Sequence, residues 1–134
     1  MLATALDGFR LTIHVLAATI WVGGQFTLAG LVPTLRKSGE GVAAAAAKAF
    51  SKLSWPAYAL LIITGLWNVA AMNMNKTSSA WKVVLGIKIT VVALSGIAAF
   101  VHARAKSKSQ IATWGGISGI MAVASLTIGV FLAG

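Results

Sequence analysis

Two residues in this chain of 134 could do chemistry from within helix-length apolar segments. They are Lys88, inside Trp81–His102, and His14, inside Leu11–Val32. An ammonium at the bilayer centre costs on the order of 2.5–3.5 kcal/mol on insertion scales, so Lys88 needs a partner, a functional role, or a stem that carries its head up to the interface. His14 offers an imidazole, which either ligates a metal or bonds a neighbouring carbonyl. Nothing else supplies a catalytic set. Asp7 and Glu40 are the only acids and there is no cysteine, so a zinc-type spacing, a carboxylate pair and a nucleophile triad are all missing. That pattern argues against hydrolysis.

The elements that must position these residues follow from composition. The chain is 58% hydrophobic and 10% charged, against about 25% charged in soluble domains. It reads as an all-α integral membrane protein, a single domain over 1–134. Four spans are expected, at about 11–32, 53–72, 81–102 and 111–133. The first is about 22 residues, enough to cross a core of roughly 30 Å. Pro33 is expected to close it, and alanine-rich Val42–Lys52 to form an interfacial lead-in to the second span. Residues 72–79 make a polar turn. No segment alternates with period 2, so helices are favoured over a barrel. Short connections predict an up-down four-helix bundle. Met1–Leu11 carries Asp7 and Arg10 and no cleavage pattern, so the first segment is expected to be retained as a span.

Basic residues orient the spans. Arg36, Lys37, Lys48, Lys52, Arg104, Lys106 and Lys108 flank the loops on one side, and Arg10, Lys76 and Lys82 lie on the other. Seven against three puts both termini outside the cytoplasm of a multi-pass inner (plasma) membrane protein. The net charge of +9 is then a match for anionic lipid head groups, not nucleic acid. Trp55, Trp67, Trp81 and Trp114 fall near span ends, as interfacial aromatics do, whereas Trp21 lies mid-span and faces inward. Gly115 and Gly119, at GxxxG spacing, allow close packing of the fourth helix.

With this topology His14 and Lys88 share the outer half of the membrane. The stripe through His14 holds Ala17, Ala18, Trp21, Gln25 and Leu28, and the two alanines leave a shallow, flat-walled space. Thr64, Gly65, Asn68 and Met72 share a face of the second span. On the third, Trp81, Lys88, Ser95 and His102 recur every seven residues as one polar stripe. Plainer roles exist for several of these: packing for Trp21 and Gln25, head-group contact for His102, loop apolars for Met72 and Met74.

The string His14-Val-Leu-Ala-Ala-Thr-Ile-Trp21-Val-Gly-Gly24, with Leu-Val-Pro33-Thr-Leu-Arg36, resembles the first helix of the copper-resistance D (CopD) family. Thr64-Gly65-Leu66 resembles that family's second helix. Trp81-x6-Lys88-x13-His102, with Pro56 ahead of Thr64-Gly65-Leu66-Trp67, is similar to the J-type (HemJ) protoporphyrinogen oxidases, small four-helix membrane proteins. The HemJ resemblance implies haem b, or a related tetrapyrrole, with His14 as iron ligand and Lys88 as an essential residue. Ala17 and Ala18 would make room, Trp21 and Asn68 would lie beside the ring, and Lys88 would meet a propionate or the second axial side. The implied role is redox or electron transfer, as an oxidoreductase or with a quinone or a redox partner protein. The CopD resemblance implies copper handling, with His14, Met72 and Met74 as soft ligands for Cu(I). A non-catalytic accessory subunit is the third reading. A homodimer or larger assembly is expected, since four helices are few for a private pore.

The orientation is open to direct test. A C-terminal reporter that works only in the cytoplasm is expected to stay silent, and a signal from it would reverse the topology.

Overall fold

The computed structural model describes residues 3–134. Four helices are long and apolar enough to cross a membrane: Ala5–Ser38, Val42–Ala70, Ser79–Arg104 and Lys108–Ala133, with mean hydropathy 1.6, 1.3, 2.2 and 2.0. The described residues contain no strand. The first helix has three parts: α1 (Ala5–Ala18), a π-helical turn (Thr19–Gly23) and α2 (Gly24–Ser38). The others are α3 (Val42–Ala70), α4 (Ser79–Arg104) and α5 (Lys108–Ala133). The chain divides into two compact units, Met1–Met72 and Asn73–Gly134.

Two helix boundaries differ from the sequence expectation. Pro33 lies inside α2, which runs on to Ser38. Val42–Lys52 is the first third of α3, which also passes through Pro56 without a break. A proline forfeits one main-chain hydrogen bond, whereas ending a helix strands up to four carbonyls. In apolar surroundings continuing is the cheaper course.

The first unit is a helical hairpin. Thr4 caps α1, accepting from the Asp7 amide at 3.2 Å and donating its hydroxyl to the Asp7 carboxylate at 2.6 Å. Gly39-Glu40-Gly41 reverses the chain, with φ of +152° at Gly39 and +77° at Gly41, the latter left-handed and costly for any residue with a Cβ. α3 then packs along α1 and α2, burying Ser54, Ala57, Leu61 and Thr64 at alternating spacings of three and four. Trp21 is 3% exposed and sits 4.5 Å from Tyr58 and 5.5 Å from Trp55, ring centroid to centroid. Trp55 is also a member of this aromatic cluster, 5.9 Å from Tyr58.

The second unit is an antiparallel hairpin whose turns and helix starts are tied by side-chain hydrogen bonds. Asn73 accepts from the Asn75 amide at 3.1 Å. Ser78 caps α4 through the Trp81 amide at 3.1 Å, and Ser107 caps α5 through the Gln110 amide at 3.2 Å. Between the helices, Ser95 donates to the Ser118 carbonyl at 3.0 Å and Ser118 returns the bond to the Ser95 carbonyl at 2.9 Å. At one end the Trp81 indole donates to the Leu132 carbonyl at 3.2 Å, and at the other His102 Nδ1 donates to the Ile111 carbonyl at 2.8 Å. On α5 the facing positions are Ile111, Gly115, Ser118, Ala122, Ser125, Gly129 and Leu132, alternating four and three apart. That is the spacing of a left-handed helix seam, here lined by small residues.

The seam separates two energetic contributions. Ser118→Ala removes one hydroxyl donor from the reciprocal pair and should cost about 0.6 kcal/mol, the average for interhelical hydrogen bonds in a membrane. Ala122 is 0% exposed, so Ala122→Leu forces the helices apart and should cost on the order of 1–3 kcal/mol. Thermal unfolding in detergent, followed by circular dichroism, should rank the two variants in that order.

Candidate functional site

His14 stands on α1 opposite Thr64 of α3, with Nδ1 and Oγ1 2.8 Å apart. The direction of that bond can be deduced. Thr64 already donates its hydroxyl proton to the Leu60 carbonyl, four residues back, at 2.6 Å. A hydroxyl has one proton, so Thr64 Oγ1 must accept, and His14 Nδ1 must carry a hydrogen. The neutral ring therefore keeps its lone pair on Nε2. The imidazole also rests on Gly65, where an added Cβ would lie 3.4 Å from Cε1, ordinary contact distance. Thr64 is 3% exposed, so water does not compete for this bond.

One turn before His14 on the same helix lies Arg10, whose side chain is 11% exposed although it is charged. Its Nη2 pairs with Asp7 at 2.9 Å, and its guanidinium lies 5.9 Å from the Trp67 ring centroid, within cation–π range. Arg10 Nε and Asn68 Oδ1 are buried and find no hydrogen-bond partner among the described residues. Hairpin packing therefore brings the Arg10–Trp67 and His14–Thr64 pairs onto successive turns of one seam.

The remaining candidates have varied surroundings. Ala17 is buried and Ala18 half-buried. Trp21 belongs to the aromatic cluster with Trp55 and Tyr58. Met72 is 39% exposed just beyond α3, and Met74 is half-buried in a short 3-10 turn, Met74–Lys76, in the second unit. No group of three or more His, Cys, Asp or Glu stands together among the described residues.

The polar stripe on α4 is the seam against α5. Trp81, Ser95 and His102 each bond an α5 main-chain carbonyl. His102 thus has an intrachain partner, and Gly115 gives its ring room: a Cβ there would come within 3.0 Å of Nδ1. Lys88 is the exception in the stripe. It lies over Gly129, where a Cβ would meet Nζ at 2.8 Å.

Sequence reasoning placed Thr64 on the right face but did not pair it with His14, and it read Arg10 only as a topology charge. Tyr58 and Gly129 were missed. The usable signals were Tyr58 three residues from Trp55, and Gly129 on the same repeat as Gly115, Ser118 and Ala122.

The tautomer is measurable because the chain has two histidines. Nitrogen NMR of ring-labelled protein should show His14 as the Nδ1–H form, with His102→Ala giving the assignment. Thr64→Val removes the acceptor and should give a mixture of tautomers, whereas Thr64→Ser should not. Compared with known proteins, the chain matches no family model, no curated protein and no solved structure.

Proposed function

We propose that this chain is a multi-pass membrane protein that binds a b-type haem, or a related tetrapyrrole, with His14 Nε2 as an iron ligand and a redox or electron-transfer role. The site would lie in the non-cytoplasmic half of the membrane, as the distribution of basic residues suggests. One observation carries the reading: His14 Nδ1 lies 2.8 Å from the Thr64 hydroxyl, which itself bonds the Leu60 carbonyl at 2.6 Å and so leaves its acceptor side to the ring. Metal-ligating histidines characteristically anchor their second nitrogen in this way, which orients the ring and raises its basicity. The donor set fits iron of a tetrapyrrole, which needs one or two axial ligands from the protein and not a cluster.

When bound, the haem would supply reversible one-electron chemistry. The chain's own contribution is to present Nε2 in a fixed direction and to keep water from the His14–Thr64 bond. Electrons would be exchanged with a quinone or a redox partner protein, and the chain would act as a homodimer or larger assembly. The second reading, an accessory subunit with no cofactor, is favoured by the α4 stripe, where three of the four polar residues serve helix packing.

Haem supplementation of the detergent-purified protein distinguishes the two. A Soret band is expected in the wild type and should be lost in His14→Ala with helix content unchanged. Thr64→Val should bind haem roughly 10–100-fold more weakly, the usual penalty for losing a ligand's hydrogen-bond partner. Absence of a Soret band in the wild type would leave the accessory reading.

A further inference from the structure

The arginine one turn from His14 is in an unusual state for a residue near the end of a membrane helix. Such a side chain normally extends into the head-group region and stays hydrated. Arg10 is instead drawn against α3, 11% exposed, with Trp67 beneath its guanidinium. Asp7 takes Nη2, while Nε–H is buried with no acceptor among the described residues. Burying a donor without a partner is destabilising, the more so for a charged group. On the neighbouring helix Asn68 Oδ1 is likewise buried without a partner.

Arg10 precedes His14 by four residues, so the two point from one face of α1 about 6 Å apart along its axis. A guanidinium presents donors in a planar fork suited to a carboxylate. We propose that Arg10 seats a propionate of the tetrapyrrole, with Asp7 as the carboxylate that competes for the guanidinium. This rests on the reading of His14 as iron ligand. It assigns the ligand's carboxylate edge to the first turns of α1, and the ring's centre to the level of His14. Asn68 is the acceptor for any hydroxyl or protonated carboxyl that accompanies it.

The test compares haem b with its dimethyl ester, which has the same ring and iron but no carboxylate. Both are titrated into the purified full-length chain in detergent and followed at the Soret band. The wild type should bind the free acid about tenfold or more tightly than the ester. Arg10→Met should bind the two alike, with the Soret position unchanged. Asp7→Asn removes a competing carboxylate and should tighten the free acid but not the ester. A merely structural Asp7–Arg10 pair predicts the opposite for Asp7→Asn, namely equal weakening of both ligands. That weakening overturns the proposal, and so does a preference for the free acid that survives Arg10→Met or is lost in Lys88→Met. If the wild type binds acid and ester equally and His14→Ala abolishes both, the Arg10 assignment fails while the haem reading stands. If the wild type binds neither, both fall.

Discussion

In hydrocarbon there is no water to complete a hydrogen bond, so every polar group must be answered by the chain itself. The threonines show how this is done. Thr12, Thr27, Thr90 and Thr127 each donate to the carbonyl four residues back, to Gly8, Gly23, Gly86 and Val123, while Thr19 reaches Leu16 three back. A hydroxyl used this way still has lone pairs to accept with. Thr64 is the threonine whose acceptor side meets His14 Nδ1 on another helix, and that coincidence favours a hydrogen on this ring nitrogen. The site's chemistry is thus a by-product of the general solution to burying a hydroxyl.

The same constraint shapes the α4–α5 hairpin. Lipid tails are as apolar as leucine, so no hydrophobic force pushes two membrane helices together, and close contact must come from small residues and interhelical hydrogen bonds. Ala98 and Ala122 are essentially without exposure, and the Ser95–Ser118 exchange ties main chain to side chain in both directions. Lys88 is accommodated where α5 has no side chain, at Gly129. A long aliphatic stem can lie along such a groove with little disturbance to the seam.

Much of this was legible in the sequence, and what was not has a physical cause. The seven-residue recurrence of Trp81, Lys88, Ser95 and His102 marked one face of α4, since a repeat of that period follows a helix seam. Its interpretation as a site was less secure, because a stripe of polar residues looks the same whether it meets a ligand or a carbonyl. The existence of four apolar helices was plain from hydropathy. The His14–Thr64 bond joins residues fifty apart, and its recognition requires the register of α1 against α3, which no local pattern encodes. Pro33 was misleading because its effect depends on the surrounding medium: rules derived from water overstate how readily a proline ends a membrane helix.

The π-helical turn at Thr19–Gly23 takes up an extra residue within the first helix. Such a turn holds one residue more than the α-helix it interrupts. Its Trp21 and Val22 are both buried, and the turn joins a half-helix facing Thr64 to another that brings Gly24 against the Phe50 ring. Each residue of an α-helix advances the azimuth by about 100°, but a π turn closes over five residues where an α-turn closes over four, so the extra residue is absorbed with little change of phase. Loss of one residue from this turn would therefore leave Ala5–Ala18 nearly in register with α2, and His14 and Arg10 still toward the α3 seam. Loss of a residue from the regular helix on either side would swing them by more than a quarter revolution. The chain thus carries a slack point at which its length can change by one without redirecting the histidine and the arginine.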